Sequence, residues 1–183
     1  MNMDERVKRA KACRGWTGFD ELKWLGLQAA GKRLVIELGS WCGGSGVMTS
    51  LAEKLICVDV WDDCTDGKPG DAVKSGVSPF KEWSKNLRPE IKSGRVEARK
   101  CNLYDAAQIS KLVQEFEGNA DMVFIDAAHD RDSVATDIRT ARRLLKPGGL
   151  LCGHDYQFEG VNEAVNALVP KHENPVKSIW VQA

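Results

Sequence analysis

Short apolar segments alternate with segments of helical periodicity along most of this chain. Apolar runs rich in β-branched residues lie at positions 33–38, 55–60, 95–99, 121–126 and 149–153. Between them, apolar residues recur at the three- and four-residue spacing that is typical of helices. The stripes are Ile109, Leu112, Val113 and Phe116; Val134, Ile138, Ala141 and Leu145; and Val161, Ala164, Val165 and Leu168. Strands that alternate with helices in this way predict right-handed βαβ units and a mostly parallel sheet, covered on both faces.

Two further elements are predicted near the ends of the chain. A helix from about Gly18 to Ala30 should precede the first strand, with Thr17 as its N-cap. A last strand from Lys177 to Val181 should follow a turn at Asn174-Pro175. Because that turn is short, we expect the last strand to pair antiparallel at the end of the sheet.

The length and composition are typical of one globular domain. The 183 residues are 43% hydrophobic and 28% charged, which argues against disorder. No repeat and no Pro/Gly/Ser-rich linker divides the sequence. We therefore expect a single domain over 1–183, with an N-terminal helical cap in 1–30 and a cofactor-binding core in 31–183.

Charge, hydropathy and cysteine content restrict the partners. Lys plus Arg total 26 and Asp plus Glu total 26, so the formal net charge is zero and no nucleic-acid partner is expected. No run of 18 apolar residues is present, so we expect no membrane partner. The N-terminal segment lacks an export signal and the six cysteines form no C-x-x-C pair, which indicates reduced thiols in the cytoplasm. The sequence leaves the oligomeric state open, a homo-oligomer included.

The most informative local pattern is a glycine-rich turn between two predicted strands. The turn spans Gly39 to Gly46, and Asp59 ends the next strand 20 residues after Gly39. Glycines permit a tight turn that a ligand can approach, and a carboxylate at the next strand end can accept hydrogen bonds from ribose hydroxyls. Trp41 stands where a dinucleotide loop needs its second glycine, which disfavours a pyrophosphate. A turn that serves only strand–helix packing is the structural alternative.

The segment from Glu37 to Ser45 resembles motif I of class I S-adenosylmethionine-dependent methyltransferases. The similar variant is the E-I-G-S-x-x-G-x-S form of small-molecule O-methyltransferases related to macrolide-sugar and catechol enzymes. The resemblance extends from about Leu34 to Trp180 and includes CVDVWD around Asp59, MVFIDAAHD at 122–130 and LLKPGGLLCGHDY at 144–156. It implies a Rossmann-like, doubly wound α/β fold with a seven-stranded sheet, mostly parallel, whose last strand is antiparallel. It also implies S-adenosylmethionine as the cofactor and a small-molecule acceptor that is methylated at a hydroxyl oxygen.

The resemblance also assigns cofactor contacts to residues of this chain. Glu37 and Gly39 would lie near the methionine part of the cofactor, Asp59 would hold the ribose, and Asn102 would bond the adenine amino group. The full cofactor set that it implies is Glu37, Gly39, Ser40, Gly43, Ser45, Asp59, Trp61, Asn102, Leu103 and Asp126. The chain departs from the family pattern in Trp41, which replaces a glycine, and in Cys101-Asn102, where Gly-Asp is frequent.

Candidate groups for the chemistry follow two predicted strands that should be neighbours. They are Asp126, His129 and Asp130 after the strand at 121–126, and His154, Asp155 and Tyr156 after the strand at 149–153. A sulfonium methyl is already activated, so the protein has to align the acceptor and exclude water. A hydroxyl acceptor also has to lose its proton, either to a general base or with the help of a metal ion.

Both routes for that proton have candidate residues. In the resembling catechol-type enzymes, an Asp after the fourth strand and an Asp-Asp or Asp-Asn pair after the fifth hold a divalent cation. Asp126, His154 and Asp155 correspond to these positions, and the histidine either shifts preference from Mg²⁺ to a transition metal or removes the site. Without a cation, His129 or His154 would be the base, and Asp155 completes the catalytic set. The structural alternative is a helix N-cap, supplied by Asp126, Asp130, Asp132 or Ser133.

Other segments permit two interpretations each. The long loop from Trp61 to Ser78 is interpreted as a flap over the cofactor, with a solvated insertion as the alternative. The basic residues Arg6, Lys8, Arg9, Lys11 and Arg14 predict a solvated helix face, with a cap over the acceptor or a contact to an anionic substrate as the rival. The indoles of Trp41 and Trp61 flank the predicted pocket and either pack or stack on a ligand.

Three rival functions remain open at this point. A nicotinamide-dependent oxidoreductase has a similar fold, but Trp41 disrupts its phosphate loop. A methyltransferase fold retained only for binding a nucleoside is the second rival. A nucleic-acid methyltransferase is the third, and it is disfavoured because the fourth motif reads IDAAHD instead of N/D-P-P-Y and because the net charge is zero.

Overall fold

The computed structural model describes residues 1–61, 64–65, 68–69 and 78–183. Its helices are α1 (Met3–Ala12), α2 (Phe19–Ala29), α3 (Gly44–Thr49), α4 (Pro79–Asn86), α5 (Arg88–Lys92), α6 (Ala106–Phe116), α7 (Arg131–Leu144) and α8 (Glu159–Leu168). Its strands are β1 (Leu34–Leu38), β2 (Lys54–Asp59), β3 (Cys64–Thr65), β4 (Lys68–Pro69), β5 (Val96–Lys100), β6 (Ala120–Ile125), β7 (Leu145–Gly153), β8 (His172–Val176) and β9 (Ile179–Gln182). Most of the predicted flap, from 61 to 78, lies outside the described residues.

Seven of the described strands form a sheet in the order β5-β2-β1-β6-β7-β9-β8, and β3 and β4 form a separate two-stranded sheet. Strands β5, β2, β1, β6 and β7 pair in parallel, whereas β9 is antiparallel to both of its neighbours. The predicted Rossmann-like, doubly wound α/β fold with an antiparallel last strand is thus confirmed. The chain leaves β1 toward β2 on one side and later returns through β6 on the other. The carboxyl ends of β1 and β6 therefore form the topological switch point, where such sheets bind ligands.

Two apolar clusters cover the two faces of the sheet. Leu34, Ile36 and Leu38 of β1 face the cluster formed with α6, α7 and α8. Val35 faces the other cluster, which contains residues of α1, α2, α3 and α4. Each face of the sheet is therefore buried, as the continuously apolar strands predicted.

The C-terminal elements differ in part from the prediction. Asn174 and Pro175 lie within the edge strand β8, not in a turn, and the pairing of β8 with β9 shifts register between Glu173 and Val176. Proline is tolerated there because an edge strand has N–H groups that need no partner in the sheet. The turn instead contains Lys177, whose φ is +42°. Strand β7 also begins earlier than predicted, at Leu145, directly after α7.

The N-terminal region contains two helices, and its first helix is more buried than predicted. The N-cap of α2 is Gly18, not Thr17, because the Glu21 carboxylate accepts the Gly18 backbone N–H at 2.6 Å. In α1, the guanidinium of Arg6 is buried and donates to the Val47 carbonyl at 2.5 Å. Arg9 donates to both carboxylate oxygens of Glu90, at 2.5 and 2.7 Å. The prediction of a solvated helix face is therefore wrong for Arg6 and Arg9, because their side chains anchor α1 to α3 and α5.

Candidate active site

The glycine-rich turn packs directly against the end of β6. Gly39 has a φ of +87°, and a Cβ at this position would lie 2.1 Å from the Asp126 carbonyl oxygen. Gly43, with a φ of +82°, is the N-cap of α3. Both positions therefore require glycine, for close approach in the first case and for the left-handed backbone in both. The turn and the strand-end residue Asp126 thus belong to the same part of the molecule.

Glu37 lies beneath this turn and is fully buried. The hydroxyl of Ser40 donates to its Oε2 at 3.1 Å, and the hydroxyl of Ser45 donates to its Oε1. Burial raises the pKa of Glu37 to about 7, although these hydroxyl donors favour the charged form. The predicted residues Glu37, Ser40 and Ser45 are therefore one hydrogen-bonded unit that supports the turn from inside.

Asp59, the predicted ribose ligand, accepts three backbone N–H groups. Its Oδ2 accepts those of Ser40 at 2.8 Å and Trp41 at 2.7 Å, and its Oδ1 accepts that of Trp61 at 2.7 Å. The carboxylate therefore ties the end of β2 to the glycine-rich turn. A carboxylate has about four acceptor positions, so these bonds leave limited capacity for a ribose hydroxyl.

Two tryptophans beside Asp59 have different environments. Trp61 is buried, donates from Nε1 to the Trp41 carbonyl at 2.9 Å, and packs on Trp83 with ring centroids 5.1 Å apart. The indole of Trp41 stacks on Trp16 at 4.7 Å, and Trp16 is 74% exposed. Trp61 thus packs against neighbouring rings, while Trp16 and Trp41 form an aromatic pair at the surface of the turn.

The predicted adenine-side residues follow β5. Asn102 is half-buried, and its Oδ1 accepts the Tyr104 backbone N–H at 2.9 Å. Its own backbone N–H donates to Gln108 at 2.9 Å. Leu103 packs at the edge of the cluster that contains α6. The side-chain oxygen of Asn102 that was expected to bond adenine thus already accepts one hydrogen bond.

Asp126, His154 and Asp155 meet at the carboxyl ends of β6 and β7. His154 Nδ1 lies 3.1 Å from Asp155 Oδ1 and 3.6 Å from Asp126 Oδ1. Asp155 has a φ of +62°, a left-handed conformation that non-glycine residues rarely adopt and that often marks functional sites. The predicted proximity of these two strand ends is therefore present in the structure.

His129 joins this group through Asp155. Its Nε2 lies 2.9 Å from Asp155 Oδ2, and its ring packs on Phe158 with centroids 4.8 Å apart. Gln157 Nε2 donates to Asp155 Oδ1 at 3.0 Å. Asp130, by contrast, is the N-cap of α7, where its Oδ1 accepts the Ser133 N–H at 3.0 Å. Neither Asp132 nor Ser133 is the N-cap of α7, so that part of the capping alternative is wrong.

Several carboxylates set the charge of the His154 ring. Burial favours the neutral ring, but hydrogen bonds and attraction from Asp126 and Asp155 outweigh it and raise the pKa of His154 to about 11. Burial also raises the pKa of Asp126, whereas His129 and His154 outweigh burial at Asp155 and lower its pKa. Without a bound cation, these carboxylates favour the protonated His154 ring, which is a poor proton acceptor, whereas a cation bound at Nδ1 would displace the Nδ1 proton.

The same three side chains fit a divalent cation. One ligand atom from each of Asp126, His154 and Asp155 lies within 4.8 Å of the others. Neighbouring ligands of an octahedral ion are roughly 3 Å apart when the bonds are about 2.1 Å long. The distances of 3.1 and 3.6 Å around Nδ1 are close to that value. Two carboxylate oxygens and one imidazole nitrogen suit a transition metal better than Mg²⁺.

Glu21 is a member of this site that the sequence did not reveal. It extends from α2, and its Oε1 lies 3.4 Å from His154 Nε2. Its position three residues after Gly18 signals a helix-capping carboxylate. No local pattern links it to a strand end so distant in the chain.

A groove lies at the opposite, amino end of the strands. This groove of about 370 Å³ is lined by residues that include Lys54, Glu97, Arg99 and Glu115. Lys54 and Arg99 both pair with Glu97, and Arg99 also pairs with Glu115. Because these charges satisfy one another and the switch point lies at the other end of the strands, we place the candidate active site at the carboxyl ends.

Comparisons with known proteins identify the family of this chain. A family model described as a methyltransferase domain matches residues 36–156. Since the match covers most of the chain, the protein belongs to this family, and the assignment to class I methyltransferases is confirmed. A comparison with curated proteins gave no sequence match.

Solved structures of methyltransferases share the fold. The O-methyltransferase from Bacillus cereus, in complex with SAH, has a TM-score of 0.65 at 16% identity, covering 98% of this chain and 89% of that one. SAH-bound PaMTH1 from Podospora anserina has a TM-score of 0.64 at 13% identity, covering 98% and 85%. MycE of the mycinamycin pathway, in complex with Mg and SAH, has a TM-score of 0.61 at 16% identity, covering 99% and 54%. Among the described residues, no helix has the length and apolar character that a membrane crossing requires.

Proposed function

We propose that this protein transfers a methyl group from S-adenosylmethionine to a hydroxyl oxygen of a small molecule. The observation that carries the proposal is the junction of Asp59, the glycine-rich turn and the Asp126–His154–Asp155 group at one end of the sheet. The turn that we propose to bind the nucleoside thus lies beside groups that can handle a proton. The family match and the SAH complexes of the similar structures support the same cofactor.

The cofactor would lie across the carboxyl ends of β1, β2 and β5. Asp59 would bond the ribose, Asn102 and Leu103 would face the adenine, and Gly39 would let the methionine part approach the backbone. Glu37 would support the turn from below, since its carboxyl is already bonded by Ser40 and Ser45. When bound, S-adenosylmethionine supplies a methyl group on a sulfonium that needs no further activation.

His129 is the proposed proton acceptor for the acceptor hydroxyl. Its Nε2 lies 2.9 Å from Asp155 Oδ2, so Asp155 would orient the ring and stabilise it once the ring has taken the hydroxyl proton. His154 is less suited to this step, because carboxylates surround its ring and raise its pKa to about 11. His129 is also the more exposed of the two rings.

A divalent cation at Asp126, His154 and Asp155 is the second part of the proposal. Such an ion would lower the pKa of the acceptor hydroxyl and hold its oxygen in place. Asp126, Asp155 and Glu21 surround a single imidazole, and this excess of carboxylates favours a cation at the site. A cation held by these residues would acidify the hydroxyl, and His129 would receive its proton.

The remaining predictions are kept as part of this proposal. Residues 1–30 act as a cap on the core, since Glu21 and Trp16 both reach the site from there. The cytoplasm is the proposed compartment, because Cys13, Cys42, Cys57, Cys101 and Cys152 are free thiols. Small-molecule acceptors are preferred over nucleic acid because the formal net charge of the chain is zero.

Calorimetry with S-adenosylhomocysteine tests the cofactor part, and an acceptor screen with and without Mn²⁺ tests the reaction. We expect S-adenosylhomocysteine to bind and Asp59→Ala to weaken it, while Asp4→Ala on the exposed side of α1 leaves the affinity unchanged. Tighter binding of NAD than of S-adenosylhomocysteine would restore the oxidoreductase alternative. Cofactor binding without turnover on any acceptor would favour a protein that only binds the nucleoside.

A further inference from the structure

Glu21 connects three separate parts of the molecule. Its side chain is almost fully buried, with 4% of the residue exposed. Oε2 accepts the backbone N–H of Gly18 at the start of α2 at 2.6 Å, and Oε1 accepts that of Ser178 between β8 and β9 at 2.9 Å. Two backbone N–H donors therefore fix this carboxylate independently of its contact with His154.

The fixed carboxylate faces one edge of the His154 ring. Its Oε1 lies 3.4 Å from His154 Nε2, a nitrogen that is buried and has no hydrogen-bond partner within the described part of the chain. The opposite edge of the ring faces Asp126 and Asp155 through Nδ1. An approach of a few tenths of an ångström would give Nε2 a hydrogen bond, which a buried N–H group normally has.

We propose that Glu21 is a positioning residue, whose carboxylate receives the Nε2–H of His154 and thereby holds Nδ1 toward Asp126 and Asp155. The inference rests on the proposed function of that site and adds a member from the N-terminal helices. Carboxylates that accept the distal N–H of a histidine commonly set the orientation of metal-binding rings. A ring turned the other way would direct Nε2 at Asp126 and Asp155 and leave Nδ1 beside Glu21.

The test uses the full chain, labelled with ¹⁵N in its three histidines, and reads the ring nitrogens by NMR. Single His→Gln variants assign the signals of His129, His154 and His172. In the unmodified protein we expect a His154 Nε2–H that exchanges slowly with solvent. Glu21→Gln should shift the ring signals of His154 and speed that exchange, with smaller changes at His172.

Glu5→Gln is the matched control. Glu5 occupies the same third position of a helix, in α1, and its Oε2 accepts the Asn2 N–H at 3.0 Å, but it contacts no histidine ring in the described structure. It should leave all three histidine signals in place. If Glu21→Gln fails to fold, Glu21→Asp retains the charge with a shorter reach, and the exchange rate of the unmodified protein still tests the bond.

Cation affinity gives a second readout that does not depend on turnover. With Mn²⁺ as the probe, Glu21→Gln should weaken binding to the unliganded protein about 10- to 100-fold, while affinity for S-adenosylhomocysteine changes less than twofold. If the unmodified protein binds no Mn²⁺, the cation part of the proposed function fails, and the ring signals alone decide the role of Glu21. Unchanged His154 signals and rapid Nε2–H exchange would overturn the proposal and leave Glu21 as a helix cap.

Discussion

Asp137 allows a prediction about stability and pH that does not involve the active site. It lies on the inward side of α7, between Val134 and Ala141, and only 2% of the residue is exposed. Burial, with a smaller contribution from the charge of Asp130, raises the pKa of Asp137 to about 8 from an ordinary value of 3.8. The folded protein therefore keeps this proton at pH values where the unfolded chain has lost it.

The sign of the effect follows from proton binding. Between pH 3.8 and about 8 the folded state holds one proton more than the unfolded state at this group, so stability falls as pH rises. The free energy of unfolding should fall by up to about 1.4 kcal/mol per pH unit, so this group should make it about 4 kcal/mol smaller at pH 7 than at pH 4. Asp137→Asn keeps the shape and cannot ionise, so its free energy of unfolding should lack this decline.

Chemical denaturation of both proteins from pH 4 to pH 8 measures the difference. We expect the free energy of unfolding of Asp137→Asn to rise steadily with pH relative to that of the unmodified protein, whichever of the two proteins is more stable at pH 4. Asp132→Asn, on the exposed side of the same helix, controls for the loss of one carboxylate from α7. Curves for Asp137→Asn and the unmodified protein that stay parallel over this range would refute the reasoning.

Three further predictions concern the site and its support. Asp59→Ala should weaken S-adenosylhomocysteine binding by about 1–3 kcal/mol and lower the melting temperature, because two N–H groups of the turn and that of Trp61 lose their acceptor. Calorimetry that shows equal affinity would reject the ribose assignment. Removal of divalent cations should lower turnover, and Mn²⁺ should restore it. The turnover of Asp155→Ala should not respond to Mn²⁺. Full activity in a strong chelator would leave proton removal to His129 alone. Arg9→Gln should lower the free energy of unfolding by about 3 kcal/mol, because buried Glu90 loses a bidentate partner. Lys23 forms an exposed pair with Asp4, so Lys23→Gln should lower it by less than about 1 kcal/mol. Equal losses for the two variants would contradict the role given to Arg9.

The fold was predictable because its signals are local and repeated. The central parallel strands β1, β2 and β6 are short, mostly apolar runs. The stripes on α6, α7 and α8 face one side of the sheet, as their spacing indicates. Glycine at position 39 and the acid at Asp59 are also local signals, since the first reflects a close backbone approach and the second ends a strand. The family resemblance placed these features on one ligand-binding edge.

The errors arose where tertiary contacts decide local structure. Pro175 belongs to a strand because β8 is at the sheet edge, a position that sequence periodicity does not report. Arg6 and Arg9 carry the pattern of a solvated face, yet Glu90 and the carbonyl of Val47 make burial favourable. Glu21 meets His154 only through the tertiary packing of α2, and no spacing rule connects residues so far apart.

The contacts of Glu21 bear on how the site is built. Parallel sheets of this kind bring polar strand-end residues to one edge, which explains why Asp59, Asp126 and His154 lie there. At this edge of the sheet, Nε2 of His154 faces away from Asp126 and Asp155. The carboxylate that faces Nε2 is that of Glu21, which belongs to α2. The Glu21 carboxylate is in turn fixed by the backbone between β8 and β9. The orientation of the His154 ring therefore depends on the packing of the N-terminal helices as well as on the sheet, and substitutions that loosen α2 should disturb cation binding more than cofactor binding.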